Sequence, residues 1–293
     1  MAVARVSACW LSVVLAAAIL GGCRHGDVRS TFGQDSEKYE LELSGAEGVD
    51  WSKAAIDIDN HAGSVRVEVE PWRTEPFIKA RVRSGEKFKE EPPIDVVTEV
   101  LREEGRPAIL RIATEPKAAD TRDVYADIWV RLPGNQGVRV ANADGPVELM
   151  GGGGAVTVDN GRGTSPGGNG WLRTERRIDE PVALVTTTGH VTAVFGAEAD
   201  GDLRRETDDG FVTVKADKTP TTGVEVATRS WTGTLNGGTN PIVLRSGRGA
   251  VRFYARENPE AFAPAPPIVA RGGPLLIDRG PAWRDRVTDP ARP

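Results

Sequence analysis

The sequence predicts an all-β protein, a β-solenoid of ~20-residue coils. Three observations point there. First, one pattern recurs: a short apolar strand, a polar turn carrying Gly, then another apolar strand. The copies read LVTTTGHVTAVF, RETDDGFVTVKA, ATRSWTGTLNG and LRSGRGAVRFYA, with turn glycines Gly189, Gly210, Gly233 and Gly249. Second, those glycines are spaced 21, 23 and 16 residues apart, and Gly145 in VRVANADGPVEL lies 44 residues before Gly189, room for two more steps. Third, the chain holds 34 Gly and 20 Pro in 293 residues, with only 6% aromatics, a composition that suits turns and short strands and disfavours long helices. The alternative fold is a β-sandwich or prism, because strand–turn–strand spacing also fits an antiparallel sandwich.

Within each copy the side chains alternate. Val212, Val214 and Ala216 take one face, Thr213 and Lys215 the other; Val251, Phe253 and Ala255 oppose Arg252 and Tyr254. A single copy cannot bury its apolar face, but stacked copies form a continuous core. The turns carry Thr, Asp, Asn and Ser, whose side chains bond nearby backbone.

In chain order, residues 1–22 read as a secretion signal. Arg5 is followed by an apolar run from Ala8 to Leu20, too short for a comfortable membrane span of about 20 residues. Residues 23–38 are polar and form a tether. Residues 39–135 are an irregular N-terminal β region, with candidates such as SVRVEVE and YADIWVRL; its NHAGSV segment repeats the later turn pattern. It is either a degenerate start of the same stack or an antiparallel cap on the stack's open edge. Residues 136–255 hold the regular repeats. They are interrupted by Gly151–Gly154 and by a loop, GRGTSPGGNG, after which Trp171 and Leu172 are expected to return to the core. Residues 256–293 are rich in Pro and read as an extended, largely disordered tail; Ile268-Val269 and Leu275-Leu276-Ile277 are its apolar interruptions.

Two resemblances follow from these residues. Leu20-Gly21-Gly22-Cys23 resembles the bacterial lipobox, which implies lipidation of Cys23 and cleavage before it. The only cysteines are Cys9 and Cys23, so the folded body carries no disulfide. Arg24 follows the Cys where retention on the inner membrane favours Asp, so the resemblance favours an outer membrane if the organism has one. The succession ADIWVRLP, VRVANADGPVEL, VTVDNGRG, TTTGHVTAV, ETDDGFVTV and RSGRGAVRF resembles the DUF4097 family of putative adhesins, related to head-GIN proteins. Its shared motif is N/T/S-x-x-G-x-V-x-V over residues 39–255. That resemblance implies a β-solenoid-like envelope protein and supplies no catalytic residue.

The function expected is non-enzymatic binding, adhesion or scaffolding at the cell envelope. The membrane is a partner through the lipid on Cys23, and an envelope glycan or protein is the further partner. Net charge is −5 with signs mixed, and no basic aromatic surface motif points to nucleic acid. The histidines His25, His61 and His190 lack ligand spacing. Ser165 is not in a nucleophile elbow. Asp208-Asp209 precedes Gly210 where a turn favours Asp; stacking it with Asp144 and Asp159 at one edge is the pattern that would attract a hard cation. We therefore assign no catalytic residue, metal or cofactor. Trp171 and Trp231 are the candidate ligand contacts, since a flat exposed indole stacks on a sugar face. The competing function is a lyase-like, polysaccharide-active β-helix enzyme. The outward residues Thr192, Thr213, Lys215, Glu225 and Arg252 are too mixed for the cation cluster a lyase needs.

Overall fold

A computed structural model describes residues 35–41, 43, 46–84, 92–117, 121, 123–161, 165–216 and 218–259. The signal segment, Cys23, most of the tether and the tail beyond Pro259 lie outside the described residues. Every regular element described is a β-strand, and the strands form two mixed sheets, neither closed into a barrel.

The strands come in consecutive pairs, the first of each pair in a ten-stranded sheet and the second in a nine-stranded sheet. The pairs are β2 (Ala55–Asn60) with β3 (Val65–Val69), β6 (Ile109–Pro116) with β7 (Val124–Leu132), and β8 (Gly137–Asn142) with β9 (Val147–Met150). Next come β10 (Ala155–Asn160) with β11 (Gly170–Thr174), β12 (Val182–Thr188) with β13 (Val191–Gly196), β14 (Gly201–Asp209) with β15 (Val212–Lys215), and β18 (Pro241–Arg248) with β19 (Val251–Arg256). Within the first sheet the order is β14-β18-β12-β10-β8-β2-β6, all parallel and in register. The second sheet follows the same order with the partner strands, β15-β19-β13-β11-β9-β3-β7, again parallel. Parallel neighbours need a crossover connection. Here the crossover is the strand in the opposite sheet, so both sheets grow together and their inner faces meet.

Five further strands lie at the ends, all antiparallel. They are β1 (Asp35–Glu40), β4 (Phe77–Ser84), β5 (Ile94–Leu101), β16 (Thr221–Ala227) and β17 (Ser230–Leu235). The N-terminal half thus contributes in two ways. β2, β3, β6 and β7 join the parallel stacks, while β1, β4 and β5 cover their edges.

One expectation about the repeats needs correction. Gly233 is not a turn glycine. It sits inside β17 opposite Leu203, and the ATRSWTGTLNG segment is an antiparallel hairpin, β16–β17, laid on β14. The strand pairs do not stack in chain order. The β6–β7 pair lies outside β2–β3, and β18–β19 is inserted between β12–β13 and β14–β15.

The core is the seam between the sheets. One inner row of the first sheet runs Ile112, Ile58, Val140, Val158, Leu184 and Leu244, all buried. Facing it, Val130, Val67, Leu149, Leu172, Ala193 and Phe253 form a row of the second sheet, and Phe253 meets Phe195 edge-on with centroids 5.5 Å apart. The expected inward set is correct for Val251, Phe253 and Ala255, which are buried; Val212, Val214 and Ala216 pack on the core but stay half-buried.

The N/T/S-x-x-G motif has a physical cause at the corner between the two sheets. Its first residue is the last inward position of the first-sheet strand. In register these residues form a buried polar row, Asn60, Asn142, Asn160, Thr186, Ser246 and Thr207, and Thr114 of β6, outside the motif, extends it by donating to Asn60 Oδ1 at 3.0 Å. Asn60 Nδ2 donates to Asn142 Oδ1 at 2.9 Å, and Asn142 Nδ2 lies 3.2 Å from Asn160 Oδ1. Thr186, Ser246 and Thr207 donate instead to the carbonyls of Gly168, Gly189 and Gly249 at 2.8, 2.7 and 2.8 Å. The motif glycine lies three residues on, where successive coils nearly touch. A Cβ on Gly63, Gly145, Gly189, Gly249 or Gly210 would approach within 3.0 Å of backbone in the adjacent coil. The buried turn carbonyls are thus satisfied by side chains, as burial requires.

Candidate binding face

Alternation along the second sheet turns one set of side chains to its outer side, away from the core seam, and register sets them in rows; Glu68, Thr192 and Val194 of that set are buried. One row runs Trp129, Arg66, Glu148, Trp171, Thr192 and Arg252. The next contains Arg131, Glu68, Met150, Arg173, Val194 and Tyr254. Rungs in a row are ~4.8 Å apart, so the side chains are evenly spaced across the sheet.

Much of its charge is internally paired. Glu68 accepts from Arg66, from Arg131 Nε at 3.2 Å and from Trp129 Nε1 at 2.9 Å. The Arg131 guanidinium also lies 3.9 Å from the centre of the Trp129 ring. Glu148 pairs with Arg173 and, more distantly, with Arg66 at 3.8 Å. These contacts hold long side chains in place and occupy the Trp129 ring.

The structure separates the two tryptophans singled out by sequence. Trp171 is the second residue of β11, half-buried on this outer face, between Glu148 and Thr192. Beyond it, Thr192 and Val194 are short side chains, both buried, flanked by the longer Trp171 and Arg173 on one side and Arg252 and Tyr254 on the other. Trp231 points the other way. It is 7% exposed, lies opposite Arg205 in the β14–β17 pair, and its ring stands 4.1 Å from that guanidinium. Its indole closes the end of the core, so its faces are not offered to a sugar.

Arg205 escaped the sequence reading. It is fully buried, with Nη1 donating to Thr213 O at 3.2 Å and a second ring, Phe253, 5.5 Å away. Its Nε and Nη2 have no hydrogen-bond partner among the described residues. Burial pushes the guanidinium down to about 9, so it remains charged at neutral pH. A signal was present. Counting back two residues from the motif's N/T/S gives Ile58, Val140, Val158, Leu184, Leu244 and, in the last coil, Arg205.

The other candidates have structural partners. Asp208 pairs with Arg245 at 3.1 Å, and Arg245 also reaches Glu206 at 2.8 Å. Among the described residues no three His, Cys, Asp or Glu side chains gather as metal ligands. His61 and His190 lie in corner turns. His190 Nδ1 accepts the Ala250 amide at 2.8 Å, joining one coil to the next. Burial and then the charge of Arg252 lower its pKa from the ordinary 6.5. The unfolded chain therefore binds the proton more readily, and stability falls with pH below 6.5 as the folded form is forced to protonate. We expect the acid-side loss of melting temperature between pH 6.5 and 5 to be smaller in His190→Asn. An identical pH dependence would refute that role.

No family model matches the chain, and no curated protein matches it. In structure it is similar to a putative cell adhesion protein from Clostridium sporogenes, at 12% identity, covering 76% of this chain and 99% of that one with a TM-score of 0.48. It is also similar to a putative adhesin from Bacteroides fragilis, at 10% identity, covering 76% and 98% of the two chains with a TM-score of 0.25. A third is a putative lipid binding protein from Parabacteroides distasonis, at 11% identity, covering 76% and 97% with a TM-score of 0.22.

Proposed function

We propose that this chain is a lipid-anchored, non-enzymatic binding protein of a bacterial cell envelope. It is built as a two-sided β-solenoid of the DUF4097 kind, and it presents the outer face of its second sheet to an extended envelope glycan. One observation carries the reading: strands stacked parallel and in register, which rule that face with evenly spaced side chains and leave Trp171 half-exposed among them. An even rung spacing suits a linear polymer better than a compact substrate, and an indole stacks on sugar rings. The Arg and Glu side chains around it are held by mutual ion pairs, so they are ordered before a ligand arrives and lose little freedom on binding. The anchor rests on Leu20-Gly21-Gly22-Cys23 behind its apolar run. Two acyl chains or more give durable attachment, since each buried CH₂ contributes about 0.8 kcal/mol.

The test uses the full chain and purified envelope glycans. Trp171→Ala should weaken retention on the glycan about tenfold, a loss in the range of one stacking contact, while the melting temperature stays within a few degrees. Cys23→Ser should move the protein from the detergent phase to the aqueous phase without altering that retention. Retention unchanged by Trp171→Ala would refute the face. Release of shortened or unsaturated oligosaccharides from the same glycans would favour the lyase instead.

A further inference from the structure

Each parallel stack has two ends, and three of the four are closed by an antiparallel strand of the same chain. β5 closes the first sheet at β6; β4 and then β1 close the second sheet at β7; β17 and then β16 close the first sheet at β14. The fourth end is β15, and no described strand pairs beyond it.

Burial shows the consequence. The inward residues of β13 and β19 (Val191, Ala193 and Phe195; Val251, Phe253 and Ala255) are buried. Their counterparts at this edge, Val212, Val214 and Ala216, are only half-buried. Phe211, just before β15, is 49% exposed. Arg205, whose Nε and Nη2 lack partners among the described residues, lies in the core at this same end. The first sheet runs two strands further than the second here, so it leaves a step about 10 Å wide beside β15.

A second copy does not fit that step. Antiparallel pairing of β15 with its twin would place the dyad perpendicular to the sheet, keeping both first sheets on one side. The two β16–β17 hairpins would then meet, with four strands in the space left for none. A segment of this chain does fit. β15 and β19 are parallel and run out together, and the exit is held beside β15 by Lys218 Nζ on Glu257 at 2.6 Å. A strand that starts there runs back antiparallel, the sense of the other three closures. Residues 260–274 give a reach of up to about 50 Å, far more than two strand spacings. Then come three consecutive large aliphatic residues, Leu275-Leu276-Ile277. Alternation puts Leu275 and Ile277 on one face, toward Val212 and Val214, and Leu276 on the other. Pro274 stands at the first position of such a strand, where Pro is tolerated.

We propose that Leu275–Ile277 adds to β15 as an antiparallel strand and closes the open end of the second sheet.

Backbone amides test this. Val251 N donates to Phe211 O at 2.9 Å, so alternation turns Thr213 and Lys215 toward β19 and leaves the Val212 and Val214 amides facing the open edge. In the full chain, hydrogen exchange of the segment 211–216 should be at least about tenfold slower than in a chain carrying Leu275→Asp and Ile277→Asp, with β13 unchanged. Equal exchange in the two chains would overturn the proposal. So would protection that survives both substitutions and rises with protein concentration, the signature of a second copy. As an independent reading, Thr213→Cys with Leu276→Cys should form a disulfide within one chain; a disulfide found only between chains would also overturn it.

Discussion

Gly145→Ala should destabilise the protein by about 4 kcal/mol, combining backbone strain with overpacking against a neighbour that cannot rotate away. Gly145 has φ of +107°, a conformation that L side chains rarely adopt. Its added Cβ would lie within 3.0 Å of Gly63 O and 2.7 Å from the Gly63 carbonyl carbon. Both are backbone atoms, so relief requires moving a whole coil. Gly63 has no room to retreat, because it is packed in the same way against Ala126, and on the other side Gly168 is packed against Gly145. The control is Gly105→Ala. Gly105 also has positive φ, +75°, but nothing lies within 4 Å of its Cβ position. That substitution pays only the conformational penalty, about 1 kcal/mol. Urea midpoints of the two variants separate crowding from strain. Equal shifts would mean that close stacking of the corner glycines is not what the motif protects.

Asn142→Leu is the second large effect, again about 4 kcal/mol, from two buried acceptors that lose their donor. Asn142 is fully buried at the centre of the polar row. Its Nδ2 faces Gly63 O at 3.2 Å, Asp144 O and Gly145 O at 3.1 Å, and Asn160 Oδ1 at 3.2 Å. After substitution Gly145 O keeps Asn160 Nδ2 at 2.9 Å, and Asp144 O keeps the Gly63 amide at 2.8 Å. Among the described residues Gly63 O and Asn160 Oδ1 keep no such partner. Leu keeps the number of side-chain heavy atoms and removes both donor and acceptor, so the loss combines the missing hydrogen bonds with some overpacking by its bulkier methyl groups. Asn142→Thr should cost less than half as much, since Thr186, Ser246 and Thr207 show that one hydroxyl to a glycine carbonyl holds this corner in other coils. Leu as stable as Thr in a urea titration would remove the polar row from the account of the fold.

Both effects were visible in the sequence as the motif N/T/S-x-x-G-x-V-x-V, but only as a pattern. Spacing placed Gly63, Gly145, Gly189 and Gly249 in turns, and alternation set Val251 and Phe253 against Arg252 and Tyr254. These properties belong to a residue's own backbone state and nearest neighbours. Gly233 misled for the same reason: a Gly near the expected spacing looks alike in a turn and inside β17, where the side chain crowding it is Trp231.

Local information determined the strands, their inward faces and the polar-then-glycine corner. Tertiary structure alone decided the order of the strand pairs, the burial of Trp231, and the outer face that carries Trp171; the inward place of Arg205 could be counted from the motif, but not what surrounds its guanidinium. Each coil offers nearly the same ladder of amides and the same corner to the next, so local sequence does not distinguish β13 followed by β19 from β13 followed by β15. The order is set by which edges are free when the whole chain has folded. Trp231 faces inward because β17 pairs antiparallel with β14 in the register that sets it opposite Arg205, and one residue of slip would have turned it to solvent.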